Sequence, residues 1–228
     1  MGSRIYWVGG GKGGVGKSMV SMALLDYLVA RDVSTMLIES DTSNPDVCKT
    51  YKDTLPWKLL DLDKVDGWIQ LVNACDANRD RVVVVNTAAR SNSGVASFGG
   101  TLSTSLGDLD RSLTTLWAIN RQRDSLELLT DFMDAMPASR VHVLRNLYFG
   151  DETKFELFAE SQSLRPRIQA SGGQSLNFPD LADRVADDLY KERMTIAAAV
   201  DTLPLGNRAE LRRWRGVVAK LMATVVDG

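Results

Sequence analysis

The chain reads as an α/β protein with a doubly wound, mostly parallel sheet carrying helices on both faces. Three observations predict this. Strand-sized apolar runs alternate with helix-sized segments along the sequence. One run, Val82-Val83-Val84-Val85, is apolar on both sides, as a strand between two helix layers must be. A glycine-rich loop separates the first strand from the first helix, the strand-loop-helix order of a phosphate site.

The elements follow in order. Residues 5–8 form the first strand and 19–29 the first helix. A strand at 35–38 runs into the polar loop Glu39-Ser40-Asp41-Thr42-Ser43-Asn44-Pro45-Asp46 at its carboxyl end. Residues 61–77 suit a helix, 81–85 and 113–119 strands, 125–136 a helix and 140–144 a strand. A helix around 153–161, a short strand at 175–178, a helix led by Pro179 through residue 190, and a final helix over 207–226 complete the pattern. Strands joined by helices of this length need parallel crossovers. The Gly/Ser/Thr-rich stretch 88–105 lacks the pattern and reads as a long mobile loop, either a lid beside the phosphate or a plain connection.

Composition bounds the rest. Hydrophobic content of 44% and charged content of 25% fit one globular domain spanning 1–228. Lys plus Arg number 27 and Asp plus Glu 29, so the net charge of −2 gives no overall drive toward nucleic acid or anionic lipid. Cys48 and Cys75 have no metal-ligand spacing and read as reduced thiols. No apolar run approaches the roughly 20 residues of a membrane span, so a cytoplasmic protein without stable membrane insertion is expected. The only histidine, His142, alternates with Val141 and Val143 and reads as structural.

Gly11-Lys12-Gly13-Gly14-Val15-Gly16-Lys17-Ser18 is a complete G-x-x-x-x-G-K-[ST] phosphate loop, with Met19 opening the helix beyond it. Backbone N–H groups and the positive helix end converge there on phosphate, Lys17 reaches the β- and γ-phosphates, and the Ser18 hydroxyl takes a place on Mg²⁺. Lys12 is a surplus cation within the loop; read by itself, it is a solvated charge near an anion site.

The Lys-Gly-Gly-Val-Gly-Lys-Ser string resembles the deviant Walker A motif of the ParA/MinD group of P-loop ATPases. The resemblance implies a P-loop NTPase fold, ATP and Mg²⁺ as ligands, and a homodimer formed on ATP binding, with Lys12 reaching the partner's nucleotide. Glu39-Ser40-Asp41 resembles the group's Asp-x-Asp switch I sequence. Asp41 is then implied to act on the attacking water, and Glu39 to be a Mg²⁺ ligand or a supporting carboxylate; the plain alternative is a polar strand exit with an Asn44-Pro45 turn. Asn146 matches the group's adenine-contacting asparagine or is a strand-terminal turn residue, and Phe178 closes the next strand, where it would touch the base.

The pattern breaks at Asn86-Thr87, where the group ends its Walker B strand with Asp before Thr. Asparagine adds no negative charge, so slow hydrolysis is expected, or none, in a nucleotide-dependent binding module. A small-molecule kinase or amidotransferase-type synthetase would need a second pocket that no motif marks.

The final helix carries Leu211, Trp214, Val217, Val218, Leu221, Met222 and Val225 on one face. Arg208, Arg212, Arg213, Arg215 and Lys220 outnumber Glu210 and Asp227, a local +3 over 205–228. A core-packed helix with a solvated basic side, a non-specific DNA surface and a membrane-associated helix all fit. A further resemblance, to the TraL-type proteins of conjugative plasmids, rests on the loop, on Asn146-Leu147-Tyr148-Phe149-Gly150 and on Arg193-Met194-Thr195-Ile196. It implies a role in conjugative transfer, mobilisation or partition, with a relaxase or transfer-complex protein as candidate partner.

Overall fold

The computed structural model describes residues 4–89 and 91–228. Seven strands, β1 (Arg4–Gly9), β2 (Thr35–Glu39), β3 (Trp57–Leu59), β4 (Val82–Asn86), β5 (Ser112–Ile119), β6 (Arg140–Asn146) and β7 (Ser175–Phe178), form one sheet in the order β3-β2-β4-β1-β5-β6-β7. Every pairing is parallel. Because β1 lies between β4 and β5, the chain leaves it to one side for β2 and β3 and later crosses to the other for β5, β6 and β7. Ligand sites in open α/β sheets collect at the carboxyl ends beside such a reversal.

Alternating side chains feed two cores. Tyr6, Val8, Leu37, Val82, Val84, Leu116 and Leu144 face α1 (Lys17–Val29), α2 (Asp46–Tyr51), α8 (Asp183–Lys191), α9 (Ile196–Thr202) and α10 (Leu205–Val226). Ile5, Trp7, Val83, Val85, Trp117 and Val143 face α3 (Val65–Ala77), α4 (Asn92–Leu109), α5 (Arg123–Ala135), α6 (Glu156–Ala159) and α7 (Leu164–Ala170). Trp7 stacks on Trp68 at 5.5 Å, and Trp117 lies 4.8 Å from Phe132; each such pair adds ~0.5–1.5 kcal/mol beyond its buried area. His142 is buried in β6, neither ring nitrogen has a partner, and burial holds its pKa down at about 4, so it stays neutral.

Three expectations need correction. The 88–105 stretch is no mobile loop: it forms most of α4, with Arg90 outside the described residues. Val95, Leu102, Leu106 and Leu109 recur at helical spacing and are buried against the α3–α5 layer. Its glycines mark close approach, since a Cβ at Gly94 would sit 2.0 Å from the Leu62 carbonyl oxygen and one at Gly99 2.8 Å from Met136 Sδ.

The Pro179-led helix begins only at Asp183, because Ala182 before it is non-helical with ψ of 128°; the Pro179 carbonyl instead accepts from the Trp214 indole N–H at 2.9 Å. The 153–161 helix is broken by buried Phe155 into a 3-10 turn (Glu152–Lys154) and α6.

The apolar face of α10 is committed to the core through Leu211, Trp214, Val218, Met222 and Val225, whereas Val217 is 44% exposed. Arg4 ties the helix end to β1 through the Val226 carbonyl. Of the five basic residues, Arg215 pairs with Asp26 of α1 at 2.7 Å, Arg213 with Glu210 at 2.6 Å, and Arg208 and Arg212 bond the Asp201 and Val200 carbonyls. Among the described residues no helix is long and apolar enough to cross a membrane.

The two kinds of α4 glycine separate by mutation. Gly94→Ala gains up to about 1 kcal/mol of helix propensity but drives a methyl into backbone, so a net loss of about 1–3 kcal/mol is expected. The melting temperature should fall by ~2–12 °C. Gly100→Ala meets nothing within 4 Å and should raise the melting temperature instead.

Candidate functional site

The loop between β1 and α1 is shaped by contacts that exclude side chains. Gly14 and Gly16 have φ of 75° and 100°, and a Cβ on Gly16 would come within 2.4 Å of Asn146 Nδ2. Gly10 and Gly11 are closed in by Val15 and Leu128. The 13-residue α1 therefore starts at Lys17 without a side-chain cap, and its first N–H groups point toward the loop's concave side.

Lys17 is the electrostatic centre. Its side chain is buried, its ammonium donates to the Lys12 carbonyl at 2.8 Å, and burial pushes its pKa down to about 8 against the opposing pull of Asp41. Lys12 stands half-exposed on the outer side and pairs with exposed Asp124 in the first turn of α5. Sequence reasoning missed Asp124; its only signal was an acid at a helix start, which is common.

Asp41 accepts from the Ser43 hydroxyl at 2.7 Å and the Asn44 N–H at 2.9 Å through one oxygen, and its charge favours the protonated form of Lys17. Glu39 is fully buried and accepts from the Asp41 N–H at 3.0 Å, the Cys48 N–H at 3.4 Å and Asn86 Nδ2 at 2.8 Å. Burial raises its pKa to about 7 in spite of these donors. With both oxygens engaged, Glu39 is turned into the fold, and Asp41 is the nearer carboxylate to the loop. Thr87 closes the β4 end by bonding the Val8 carbonyl at 2.8 Å.

On the loop's other side lies a cavity of about 250 Å³ between Gly14, Gly16, Asn146, Phe178 and Tyr190. Met19 lines it as well. Asn146 Nδ2 donates to the Val15 carbonyl at 3.0 Å, and its Oδ1 caps the following 3-10 turn at the Tyr148 N–H, 3.1 Å away. It is thus a turn residue that also braces the loop, with one N–H left for a ligand. Phe178 is buried edge-on against Trp214 and contributes a wall.

The donor set suits Mg²⁺ held jointly with phosphate. Among the described residues no cluster of three His, Cys, Asp or Glu side chains could hold a metal by itself; Mg²⁺ bound with a nucleotide takes few protein oxygens beside phosphates and water. Ser18, in the first turn of α1, and Asp41 are the oxygen-bearing side chains beside the loop that would hold such an ion.

No family model matches the chain. It is 57% identical over 226 residues to protein MobD of Acidithiobacillus ferrooxidans, with 99% of each chain covered. The chain belongs to the MobD family. Its fold is that of the ParA/MinD P-loop ATPases. It resembles the MinD cell division protein of Aquifex aeolicus with a TM-score of 0.55, 14% identity and 94% and 98% of the two chains covered. The ParA family ATPase of Chlorobium tepidum aligns with a TM-score of 0.51, 11% identity and 93% and 97% coverage.

A buried cation whose desolvation outweighs the pull of its carboxylate neighbour costs stability. Lys17→Met should stabilise the ligand-free protein at pH 7 by about 1–2 kcal/mol once the lost hydrogen bond is counted, raising its melting temperature by ~2–8 °C. Because the folded pKa lies below the ordinary 10.5, the penalty is full below pH 8 and fades as pH rises from 8 to 10.5. The two melting curves should converge over that window, as scanning calorimetry across pH would read.

Proposed function

We propose that this MobD-family protein is an ATP-binding switch that dimerises on ATP and hydrolyses it slowly, acting in plasmid conjugative transfer, mobilisation or partition. The observation that carries the reading is Lys17: a buried ammonium, bonded only to a loop carbonyl, at the uncapped start of a helix. Such a group is favoured by an incoming anion. The pathway rests on the resemblance to TraL-type proteins.

In this reading Lys17 turns from the Lys12 carbonyl to the β- and γ-phosphates, while Ser18 and Asp41 hold Mg²⁺ and Asn146 and Phe178 border the base. Mg²⁺ supplies charge neutralisation at the phosphates. Asp41, one of whose oxygens is already engaged by Ser43 and Asn44, would orient water through the other. The Lys12–Asp124 pair is exposed, a class worth ~0–1 kcal/mol, so the ammonium can leave it for the triphosphate of a second copy. A relaxase or transfer-complex protein is the proposed cargo-side partner, and the exposed Arg212, Arg213 and Lys220 offer a modest non-specific DNA surface.

A second reading, a binding module without turnover, is favoured by Asn86, which brings no charge to the end of β4. Mg-ATP hydrolysis with and without DNA separates the two. A low rate that Asp41→Ala cuts ~100-fold or more is expected; no turnover under any condition would leave the module.

Lys12→Ala should abolish ATP-induced association in light scattering while sparing nucleotide binding by the monomer. Asp124→Ala should leave the melting temperature nearly unchanged; association that persists in Lys12→Ala would refute the cross-dimer role of Lys12, and no ATP-induced association of the natural protein would refute the dimer. Arg212→Glu with Lys220→Glu should weaken DNA binding at low salt and flatten its salt dependence; equal binding would remove DNA from the reading.

A further inference from the structure

Glu39 and Asn86 end neighbouring parallel strands and stand opposite each other in the β2–β4 register. Their side chains join: Asn86 Nδ2 donates to Glu39 Oε1 at 2.8 Å, and the Ser21 hydroxyl of α1 donates to Asn86 Oδ1 at 2.7 Å. All three residues are buried. Each partner that Glu39 finds here, the Asp41 N–H, the Cys48 N–H and the Asn86 amide, is a donor, which is the environment of a carboxylate. The amide orientation follows from this. Flipping Asn86 would still satisfy the hydroxyl of Ser21, which can donate or accept, but would press a carbonyl oxygen against Glu39.

We infer that Asn86 is a positioning residue for Glu39, and that the buried acid supporting the Mg²⁺ edge of this site is supplied by β2 instead of β4. The inference rests on the proposed nucleotide switch. Asn86 is then a required donor and no relic of a lost acid. An aspartate at 86 would place a second carboxylate oxygen where the amide nitrogen lies, 2.8 Å from Glu39 Oε1. Two buried carboxylates in contact do not both ionise without cost. Charge and amide can instead be exchanged across the strand pair: Glu39→Gln with Asn86→Asp keeps one anion and one donor at the same contact. The exchange loses only the acceptor that Glu39 Oε1 offers the Asp41 N–H.

The test compares the natural protein, Asn86→Asp, and the exchanged double variant at pH 8. Two readouts serve: the melting temperature without ligand, and binding of a fluorescent ATP analogue with and without Mg²⁺. Asn86→Asp should melt at least about 4 °C lower, as expected for one uncompensated buried charge contact in a chain of this size. Its Mg²⁺-dependent affinity should weaken about tenfold. The double variant should recover at least half of the lost melting temperature. An Asn86→Asp protein that melts at or above the natural temperature and binds as tightly overturns the inference, as does a double variant no more stable than the single one. Failure of the natural protein to bind the analogue would instead sink the proposed switch, and the melting comparison would still decide whether Asn86 orients Glu39.

Discussion

A cation kept out of water and only partly offset by Asp41 sets the terms for the rest of this molecule. Lys17 sits at the first turn of α1, buried, with a single carbonyl contact and its pKa pressed down to about 8. Such a position is tolerable only if the backbone around it is rigid. The loop glycines adopt backbone angles closed to other residues, Asn146 braces the loop from β6, and α1 is buried on nearly every side between the sheet and α10. The stability lost at one residue is recovered from this packing, as expected of a site built for a charged ligand.

Charge is handled differently at each edge of that site. Toward β2 and β4 the groups are buried and fully bonded, so Glu39, Asn86 and Ser21 form a fixed unit. Toward α5 the Lys12–Asp124 pair is exposed and weak, free to exchange partners. The first can hold a geometry and the second can change with assembly. This division of labour, rigid inside and labile at the rim, is what the proposed switch requires.

The basic C-terminal helix turns part of its charge to internal contacts. Of five cations against two anions, Arg215 neutralises Asp26 of α1, Arg213 pairs within its own helix, and Arg208 and Arg212 cover carbonyls in the last turn of α9. Much of the basic character serves to dock α10 on its layer.

The phosphate loop, the strands β1, β2, β4, β5 and β6 and the helices α1 and α10 were legible in the sequence, because each depends on local rules: apolar period, glycine spacing and chain order. Asp41 and Asn146 were legible as strand-end polar residues. The sequence by itself determined which chemistry could stand at the carboxyl edge. The tertiary structure alone decided that residues 92–105 of the glycine-rich stretch are helical, since glycines there answer to Leu62 and Met136, far away in the chain. It alone joined Asp124 to Lys12, and Glu39 to Asn86 across a strand pair. Contacts between distant residues leave no periodic trace, so they become visible only once the sheet has brought its strands together.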